Sequence, residues 1–444
     1  MKPDSSTGYF VLLKSNRPFR NLWYGQVVSE LGSWLNSIAI YALILKFSGS
    51  GMAMAAAMMA KLLPMFLVSP FAGVVIDRMS RKTVMIVSDV LRCFIVLCFL
   101  LVEDRGALWL VYLLTVLEVA MASFFEPARS AIIPSIIPKK NLVAANALCG
   151  ATWSVMLAFG AALGGVVVSL LGIRAAFVLD AMTFLLSAWF ISRIQAPKAS
   201  PAAWSGIPGQ GRWKDLIEGT RYLMREPVIL VLSLLKSGLA VTGGVMTLIP
   251  LYAHQMLANP SAVSMGIGIM YSARGVGAAF GPILVRRFFG DTSYVLQASI
   301  AAGFFLGAGS YLLFARSHSL WTASLSIGLA TLFGSIVWVF SSALLHLEAE
   351  DRFLGRVFGT EMALLTLVMG ISNGGVGLAI DRLGMSPHSV SLWLAGLISV
   401  SGVLWCGFIL FVRNRLKQGK SVGSVCPLDP SGFNPLPVAS GQEK

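Results

Sequence analysis

The sequence has little charge, since only 12% of its 444 residues are Asp, Glu, Lys or Arg. Soluble domains carry about 25% charged residues. Hydrophobic residues make up 56% of the chain, and the mean hydropathy is +0.77. A chain of this length then has too few polar side chains to cover the surface of a soluble protein. The composition excludes a soluble enzyme, and it equally excludes a disordered or fibrous protein.

Metal-binding and nucleotide-binding patterns are also lacking. The five cysteines form no Cys-x-x-Cys pair and have no paired histidines beside them, so the sequence predicts neither a disulfide framework nor a zinc site. The stretch Gly419-Lys420-Ser421 is like the end of a phosphate-binding loop. Such a loop needs a glycine five positions earlier, where this chain has Asn414. We therefore predict no metal, no ATPase machinery and no cofactor.

Long apolar runs are abundant. A helix needs about 20 mostly apolar residues to cross the hydrocarbon core of a membrane. Twelve such runs are bounded by charged residues, Gly or Pro, and they cover 21–46, 51–76, 83–102, 107–126, 145–170, 175–194, 228–252, 264–285, 293–315, 320–343, 360–380 and 389–412. We predict an all-α membrane protein with twelve transmembrane helices.

The basic residues test this number of spans independently, because cytoplasmic loops hold an excess of Lys and Arg. The chain has 34 basic and 20 acidic residues, a net charge of +14. With both termini in the cytoplasm, most basic residues fall in cytoplasmic loops. The positive charge therefore indicates membrane topology, and nucleic acid is not an expected partner. The first apolar run contains Glu30 and lacks a cleavage site, so it predicts a retained span and no signal peptide.

A polar segment separates six spans from six. We predict an N-terminal half over 1–194, a cytoplasmic linker with an interfacial helix over 195–226, a C-terminal half over 227–412 and a disordered cytoplasmic tail over 413–444. This plan resembles the major facilitator superfamily, whose substrate site lies between the two halves near the membrane midplane.

The loop between the second and third spans carries a motif of this superfamily. It reads Gly73-Val-Val-Ile-Asp77-Arg78-Met-Ser-Arg81-Lys82, and it resembles the superfamily's Gly, three residues, Asp-Arg and a basic pair. Gly73 permits close helix approach, and Asp77 suits the N-terminus of an opposing helix. Arg78, Arg81 and Lys82 are suited to hold the loop at the cytoplasmic surface. The resemblance implies a latch for the outward-facing conformation, and a basic loop that only sets topology is the alternative.

Two further stretches match this motif less well. After the eighth span, Gly277-Ala-Ala-Phe-Gly281-Pro282 is followed by Arg286-Arg287 with no acid in register, which predicts an asymmetric latch. The stretch Gly377-Leu-Ala-Ile-Asp381-Arg382 has the spacing of the motif, but the predicted topology places it outside the cell. We interpret this second match as a coincidence.

Other stretches narrow the resemblance to one branch. They are Phe19-Arg20-Asn21-Leu22-Trp23, Phe124-Phe125-Glu126-Pro127-Ala128-Arg129, Leu142-Val-Ala-Ala-Asn146-Ala-Leu and Asp180-Ala-Met-Thr-Phe184. These stretches resemble the macrolide-efflux and enterobactin-exporter branch of drug:proton antiporters, over about residues 10–412. In span five, Gly160, Gly164 and Gly165 permit close helix packing, whereas Ala161 stands where antiporters often have proline.

Ionisable side chains within the spans are candidate functional residues, because charge is costly inside a bilayer. Glu30, Lys61 and Glu118 lie near mid-membrane, where a carboxylate can exchange a proton with an aqueous cavity. For Glu118 the alternatives are proton or substrate coupling, and a structural ion pair with Lys61 or another basic residue. Glu30 has the same two alternatives. We interpret Lys61 as a partner charge.

The other charges within the spans are two neighbours and two single cations. Asp89 and Arg92 are three residues apart and can neutralise each other. Lys236 and Arg274 are lone cations of spans seven and eight. Small residues surround Arg274, so that its guanidinium group can attract an anionic or carbonyl-rich substrate.

We therefore expect a monomeric secondary transporter of the bacterial inner membrane, and not an enzyme. It exports amphiphilic small molecules of drug or siderophore type in exchange for protons, with the proton gradient as its energy source. A lysophospholipid transporter of the same fold is the first alternative. A non-transporting membrane sensor or scaffold is the second.

Overall fold

The structure is a computed structural model that describes residues 9–138, 141–195, 223–290 and 292–417. Within these ranges the regular elements are all helices. The helices α1 to α14 are Tyr9–Ser15, Arg17–Phe47, Gly51–Arg78, Arg81–Cys98, Leu108–Ile136, Leu142–Leu171, Ile173–Ser192, Pro227–Ala240, Val245–Met256, Pro260–Phe289, Ser293–Ala315, Leu320–Glu348, Asp351–Asp381 and Pro387–Lys417.

The twelve predicted spans correspond to these helices. Eleven helical segments of the described ranges are long and apolar enough to cross a membrane. Helix α3 provides the remaining span, with its apolar part over Gly51–Met65. The predicted fold class, an all-α membrane protein of twelve spans, is confirmed.

Several predicted boundaries shift. The prediction ended the fourth span at 126, whereas α5 continues to Ile136 through Pro127 and Pro134; membrane helices tolerate such prolines. Helix α14 extends to Lys417, five residues into the segment assigned to the tail. The predicted interfacial helix falls almost entirely outside the described residues, and so does the rest of the tail.

The seventh span is broken in its middle. A 3₁₀ turn over Val241–Gly244 joins α8 to α9, and Ser372 of α13 bonds to both sides of it. The Ser372 hydroxyl accepts from the Gly244 N–H at 2.9 Å and donates to the Val241 carbonyl at 2.5 Å. A broken membrane helix needs such partners, because lipid offers no hydrogen bonds to its free backbone groups.

Short polar residues start many of the helices. The Asn16 side chain accepts from the Phe19 N–H at the start of α2, and Ser50 accepts from Ala53 at the start of α3. Asn259 caps α10 in the same way. These caps satisfy backbone donors that the first turn of a helix leaves free.

Short connections make successive spans antiparallel, so that the bundle has two ends. We call the end with the α3–α4 and α5–α6 connections the Arg78 end. The opposite end, with the α2–α3 and α13–α14 connections, is the Asp381 end. Helices α2 to α7 form the first half and α8 to α14 the second.

The halves meet mainly through two helix pairs, α6 with α10 and α3 with α13. Glycines bring the first pair together: a Cβ atom on Gly165 would lie 3.0 Å from the Ser264 carbonyl oxygen, and one on Gly268 would lie 2.7 Å from that of Ala161. The other two glycines of the predicted packing group face α2 within the first half. A Cβ on Gly160 would lie 3.0 Å from Trp34, and one on Gly164 would lie 2.9 Å from Ile38.

Close contacts between the halves concentrate from the middle of the bundle to the Asp381 end. Gly377 of α13 packs on Ala55 of α3, with 2.7 Å between a Cβ placed on Gly377 and that of Ala55. At mid-bundle the Ser272 hydroxyl donates to the Ala158 carbonyl. At the Asp381 end, Asp381 of the second half accepts hydrogen bonds from Ser50, Gly51 and Met52 of the first half. The halves are therefore joined at the Asp381 end.

Candidate functional site

A polar stripe runs along one face of α2. Its members recur at intervals of three or four residues, which places them on a single helix face. They are Gln26, Ser29, Glu30, Ser33, Asn36 and Ser37. Polar groups with this period in an apolar helix indicate a protein-facing or water-facing surface. Hydrogen bonds join the stripe to four charged residues of other helices in the first half, which are Lys61, Arg92, Glu118 and Arg129.

Arg92 of α4 lies against the middle of this stripe. Its guanidinium group is 3.3 Å from the Glu118 carboxylate and 3.8 Å from that of Asp89. The same group donates to the Ser33 hydroxyl at 3.0 Å and stacks 3.9 Å from the centre of the Phe184 ring. Arg92 therefore joins α2, α4, α5 and α7 through one buried cation.

Glu118 also forms a hydrogen bond with the polar stripe of α2. Asn36 donates its amide N–H to the other Glu118 oxygen at 2.7 Å. The alternative of an ion pair between Glu118 and Lys61 is thus wrong. The basic partner of Glu118 is Arg92. Lys61 instead donates to the Ser37 hydroxyl at 2.5 Å. Lys61 and Glu118 therefore both form hydrogen bonds with α2, but they do not form an ion pair with each other.

Carboxyl groups outnumber the cation in this region. We define the Arg92 cluster as Asp89, Arg92, Glu118 and Asp180. Asp89 and Asp180 are both fully buried. Neither Oδ atom of Asp89 nor Oδ2 of Asp180 has a hydrogen-bond partner in the described structure. Buried carboxylates without donors or matching counter-charge are costly, so the Arg92 cluster is suited to hold a proton and release it.

Glu30 connects the stripe to the Arg78 end. The Gln26 side-chain amide donates to Glu30 at 2.7 Å, and Arg129 donates to the Gln26 Oε1 atom at 2.9 Å. Arg129 in turn pairs with the Glu126 carboxylate at 2.6 Å, and the side chain of Glu126 is 44% exposed. A chain of polar contacts therefore leads from the partly exposed Glu126 to Glu30.

Cations from both halves flank a pair of stacked tyrosines at the centre of the bundle. Lys61 of α3 lies 5.0 Å above the ring of Tyr41, and Arg274 of α10 lies 5.3 Å from the ring of Tyr271. The two rings stack with their centroids 5.7 Å apart, and Trp34 packs on Tyr271 at the same distance. We call these five residues the central site.

The second half has its own buried ion pair. The Lys236 ammonium is 2.8 Å from the Glu361 carboxylate, and both side chains are almost fully buried. Trp338 and Phe358 hold the ammonium over their ring faces at 4.9 Å and 5.5 Å. The interpretation of Lys236 as a lone cation is therefore wrong. Its partner Glu361 lies 125 residues away in the sequence. No local sequence pattern predicts this pairing.

The latch motif contributes basic residues to two helix contacts. Arg81 donates to the Ala131 carbonyl of α5 at 2.7 Å, and Lys82 donates to the Ser192 and Ile194 carbonyls at the C-terminal end of α7 at 2.6 Å and 2.9 Å. Arg78 is exposed. Gly73 and Asp77 lie in α3, but their side chains are outside the described part of the structure.

The second match to the motif has contacts of its own. Asp381 accepts hydrogen bonds from the first turn of α3, where Gly51 and Met52 donate their N–H groups at 2.9 Å each. The Ser50 hydroxyl also bonds to this carboxylate. The interpretation of this stretch as a coincidence of spacing overlooked these contacts.

Comparison with known proteins places the chain in a family. It matches the model of transmembrane secretion effectors over residues 11–437. Macrolide efflux protein A of Streptococcus pyogenes is 24% identical over 402 residues, which are 89% of this chain and 96% of that protein. The enterobactin exporter EntS of Citrobacter koseri is 24% identical over 433 residues, or 94% of this chain and 97% of that one.

A solved structure shows the same fold. The bacterial homologue of the human lysosomal transporter Spinster, in an inward-facing and occupied conformation, has a TM-score of 0.69 at 13% identity. The match covers 90% of this chain and 98% of that chain. With twelve spans in two halves and a family match along nearly the whole sequence, the chain belongs to the transmembrane secretion effector family of major facilitator superfamily transporters.

Proposed function

We propose that this membrane transporter drives the efflux of amphiphilic small molecules with the proton gradient. The Arg92 cluster carries the proposal, because it holds three buried carboxyl groups against one guanidinium beside the polar stripe. The named activities of two relatives, macrolide efflux and enterobactin export, support the direction of transport and the drug or siderophore type of substrate.

In this proposal the Arg78 end and both termini face the cytoplasm, because the basic loops lie there. The chain works as a monomer in the bacterial inner membrane. The halves are joined at the Asp381 end, so the described conformation is inward-facing. A substrate enters between the halves from the cytoplasm, and the halves then rock about the central site.

Proton coupling follows from competition for Arg92. When Glu118 is charged, it pairs with the Arg92 guanidinium group, which also donates to Ser33, and it accepts a hydrogen bond from Asn36. When Glu118 takes up a proton, Arg92 loses this attraction and gains freedom to pair with Asp89 or Asp180. Such an exchange alters the contacts between α2, α4, α5 and α7. Glu30, on the same stripe, is a second carboxyl group that can take up and release a proton, and it lies nearer to the Arg78 end.

The experiment compares Glu118→Gln with the wild type in everted membrane vesicles. A pH-sensitive dye reports proton movement when erythromycin or enterobactin is added, and accumulation of the labelled compound reports transport. We expect Glu118→Gln to lose substrate-dependent proton movement and uphill accumulation while the protein remains folded and inserted. The loss follows because the glutamine cannot exchange a proton.

Glu103→Gln is the matched control, because Glu103 forms an exposed ion pair with Arg174, and surface pairs of this kind contribute little. This variant should transport like the wild type. Full transport by Glu118→Gln with an unchanged pH dependence would contradict the proposal. Loss of transport in both variants would show that the defect does not belong to Glu118.

A groove on the second half favours the lysophospholipid alternative. It lies between α13, α14 and the turn of the seventh span, and it encloses about 450 Å³. Its lining is almost wholly apolar, with Val376, Trp393 and Leu397 among its residues, and such a surface accepts an acyl chain. The test is the movement of a fluorescent lysophosphatidylethanolamine between the inner and outer leaflets of proteoliposomes. Rapid movement of this lipid, without transport of erythromycin or enterobactin, would show that the protein is a lysophospholipid transporter and not a drug exporter.

A further inference from the structure

The two cations of the central site have no acidic partner. In the described structure, neither Lys61 nor Arg274 lies within 4.0 Å of a carboxylate, although five other ion pairs do form. The Nε atom of Arg274 is buried and makes no hydrogen bond. An unpaired charge at mid-membrane is costly.

Two of the buried carboxylates are held by other cations. Glu118 is held by Arg92 and Asn36, and Glu361 is held by Lys236 on the far side of the second half. Tyrosine rings orient the cations instead, with Lys61 over Tyr41. Neither cation is therefore in direct contact with a carboxylate, although Glu118 and Asp180 act on Lys61 from a greater distance.

We infer that the central site takes substrates with an acidic group, such as a carboxylate, sulfonate or catecholate, on an aromatic or flat apolar body. This inference deepens the proposed efflux function and rests on it. Lys61 and Arg274 come from opposite halves, so the acidic group is bound where the halves meet. The guanidinium group offers several fixed donors to such an oxyanion, and Trp34 offers the apolar body a ring face.

Two fluorescent probes with one body test this substrate class. They are 8-anilinonaphthalene-1-sulfonate and N-phenyl-1-naphthylamine, which differ by the sulfonate. Binding to the full-length protein is measured by titration in phosphatidylcholine nanodiscs, with the signal of empty nanodiscs subtracted. We expect the wild type to bind the sulfonate probe at least about tenfold more tightly, as charge-assisted hydrogen bonds allow.

The variants Lys61→Met and Arg274→Gln should each remove about tenfold of the sulfonate affinity and change binding of the neutral probe less than about twofold. Lys46→Met is the control, because Lys46 is an exposed cation at the Asp381 end of α2. Equal binding of both probes by the wild type would overturn the inference, and so would an equal loss of both probes in the two variants.

The binding test needs no proton gradient, so it separates this inference from the proposed function. If transport is not coupled to protons, the preference for the sulfonate probe persists. If the preference is absent while Glu118→Gln still loses proton coupling, the substrate class alone is wrong.

Asp381 carries a second, independent inference. Its carboxylate belongs to the second half and accepts hydrogen bonds from the Gly51 and Met52 N–H groups of α3, and from the Ser50 hydroxyl group just before this helix, in the first half. These N–H groups form the positive end of the α3 dipole, where an anion is favourable. The stretches Gly73 to Arg78 and Gly377 to Arg382 share the pattern Gly-x-x-x-Asp-Arg, at opposite ends of the bundle.

We infer that Asp381 latches the halves together at the Asp381 end and so stabilises the conformation described here. Gly377 supports the contact, because a side chain at this position would meet Met52 at 3.0 Å and Ala55 at 2.7 Å. Opening this end requires the three hydrogen bonds to break together. The chain then has a latch motif at each end, each closing a different conformation.

Hydrogen–deuterium exchange of the whole protein in nanodiscs tests the latch. In Asp381→Asn we expect peptides at 49–56 to exchange faster, and peptides at 76–84 at the Arg78 end to exchange more slowly, because the conformation shifts. Asp104→Asn is the control: Asp104 caps Ala107 within its own half. Wild-type exchange at both ends of Asp381→Asn would overturn the inference, as would faster exchange at 49–56 with no change at 76–84.

Discussion

Two buried ion pairs of this protein, Lys236 with Glu361 and Arg92 with Glu118, join side chains from different helices. Lys236 and Glu361 lie in different spans and face each other at 2.8 Å. Removing one member of a buried pair leaves the other charge uncompensated, which costs more than removing both. The same reasoning applies to Arg92, whose loss would leave the carboxylates of its cluster without a cation.

The pair in the second half gives a prediction about stability. We expect Lys236→Met to destabilise the protein by about 3–5 kcal/mol, because Glu361 then lacks its cation. The double variant Lys236→Met/Glu361→Gln should recover much of this loss. The measurement is the midpoint of thermal unfolding in one detergent. A double variant no more stable than Lys236→Met would show that the pair contributes little beyond packing.

At the scale of elements, glycines determine how closely the halves approach. Gly268 of α10 faces Ala161 and Gly165 of α6, and a Cβ at Gly268 would lie 2.7 Å from the Ala161 carbonyl oxygen. That oxygen belongs to the backbone and cannot move without moving α6. Small residues allow such close packing in membranes. The contact lies towards the Asp381 end, where the two six-helix halves are joined.

We therefore expect Gly268→Ala to hold α6 and α10 apart and to lower the transport rate in proteoliposomes at least about tenfold, since misplaced elements slow a cycle strongly. Gly309→Ala is the control, because a Cβ at Gly309 meets nothing within 4 Å. Wild-type transport by Gly268→Ala would show that α6 and α10 do not need this distance during the cycle.

At the scale of the whole molecule, the latch motif of the α3–α4 loop is expected to act on conformation. Asp77 lies at the Arg78 end of α3, about half a membrane from the central site. Its influence therefore concerns the balance between two states of the molecule, and a change in that balance affects every substrate alike.

Asp77→Asn should slow turnover of erythromycin, enterobactin and the sulfonate probe by a common factor. Rates of uptake into everted vesicles, measured for all three compounds, check this expectation. A changed ranking of the compounds would place Asp77 in substrate selection and contradict the latch interpretation.

The sequence identifies which residues are unusual but not what they touch. Glu30, Lys61, Glu118 and Arg274 are visible as charges within apolar runs. The stripe on α2 could also have been found, since Ser33 and Asn36 continue the spacing of Glu30. Asp180 appeared only within a stretch that resembles the family, and Glu361 lay at the edge of a predicted span. Both carboxyl groups are recognised as candidate functional groups only in the structure, because it shows that they are buried.

The sequence by itself determined the twelve spans and the charges within them, because hydropathy and the position of Lys and Arg are local properties. The tertiary structure alone decided that Arg92, and not Lys61, pairs with Glu118, and that Asp381 caps α3. Helix periodicity defines a face but not the helix that it meets. Antiparallel packing brings together residues that are far apart in the chain, and these pairings set the chemistry of the site.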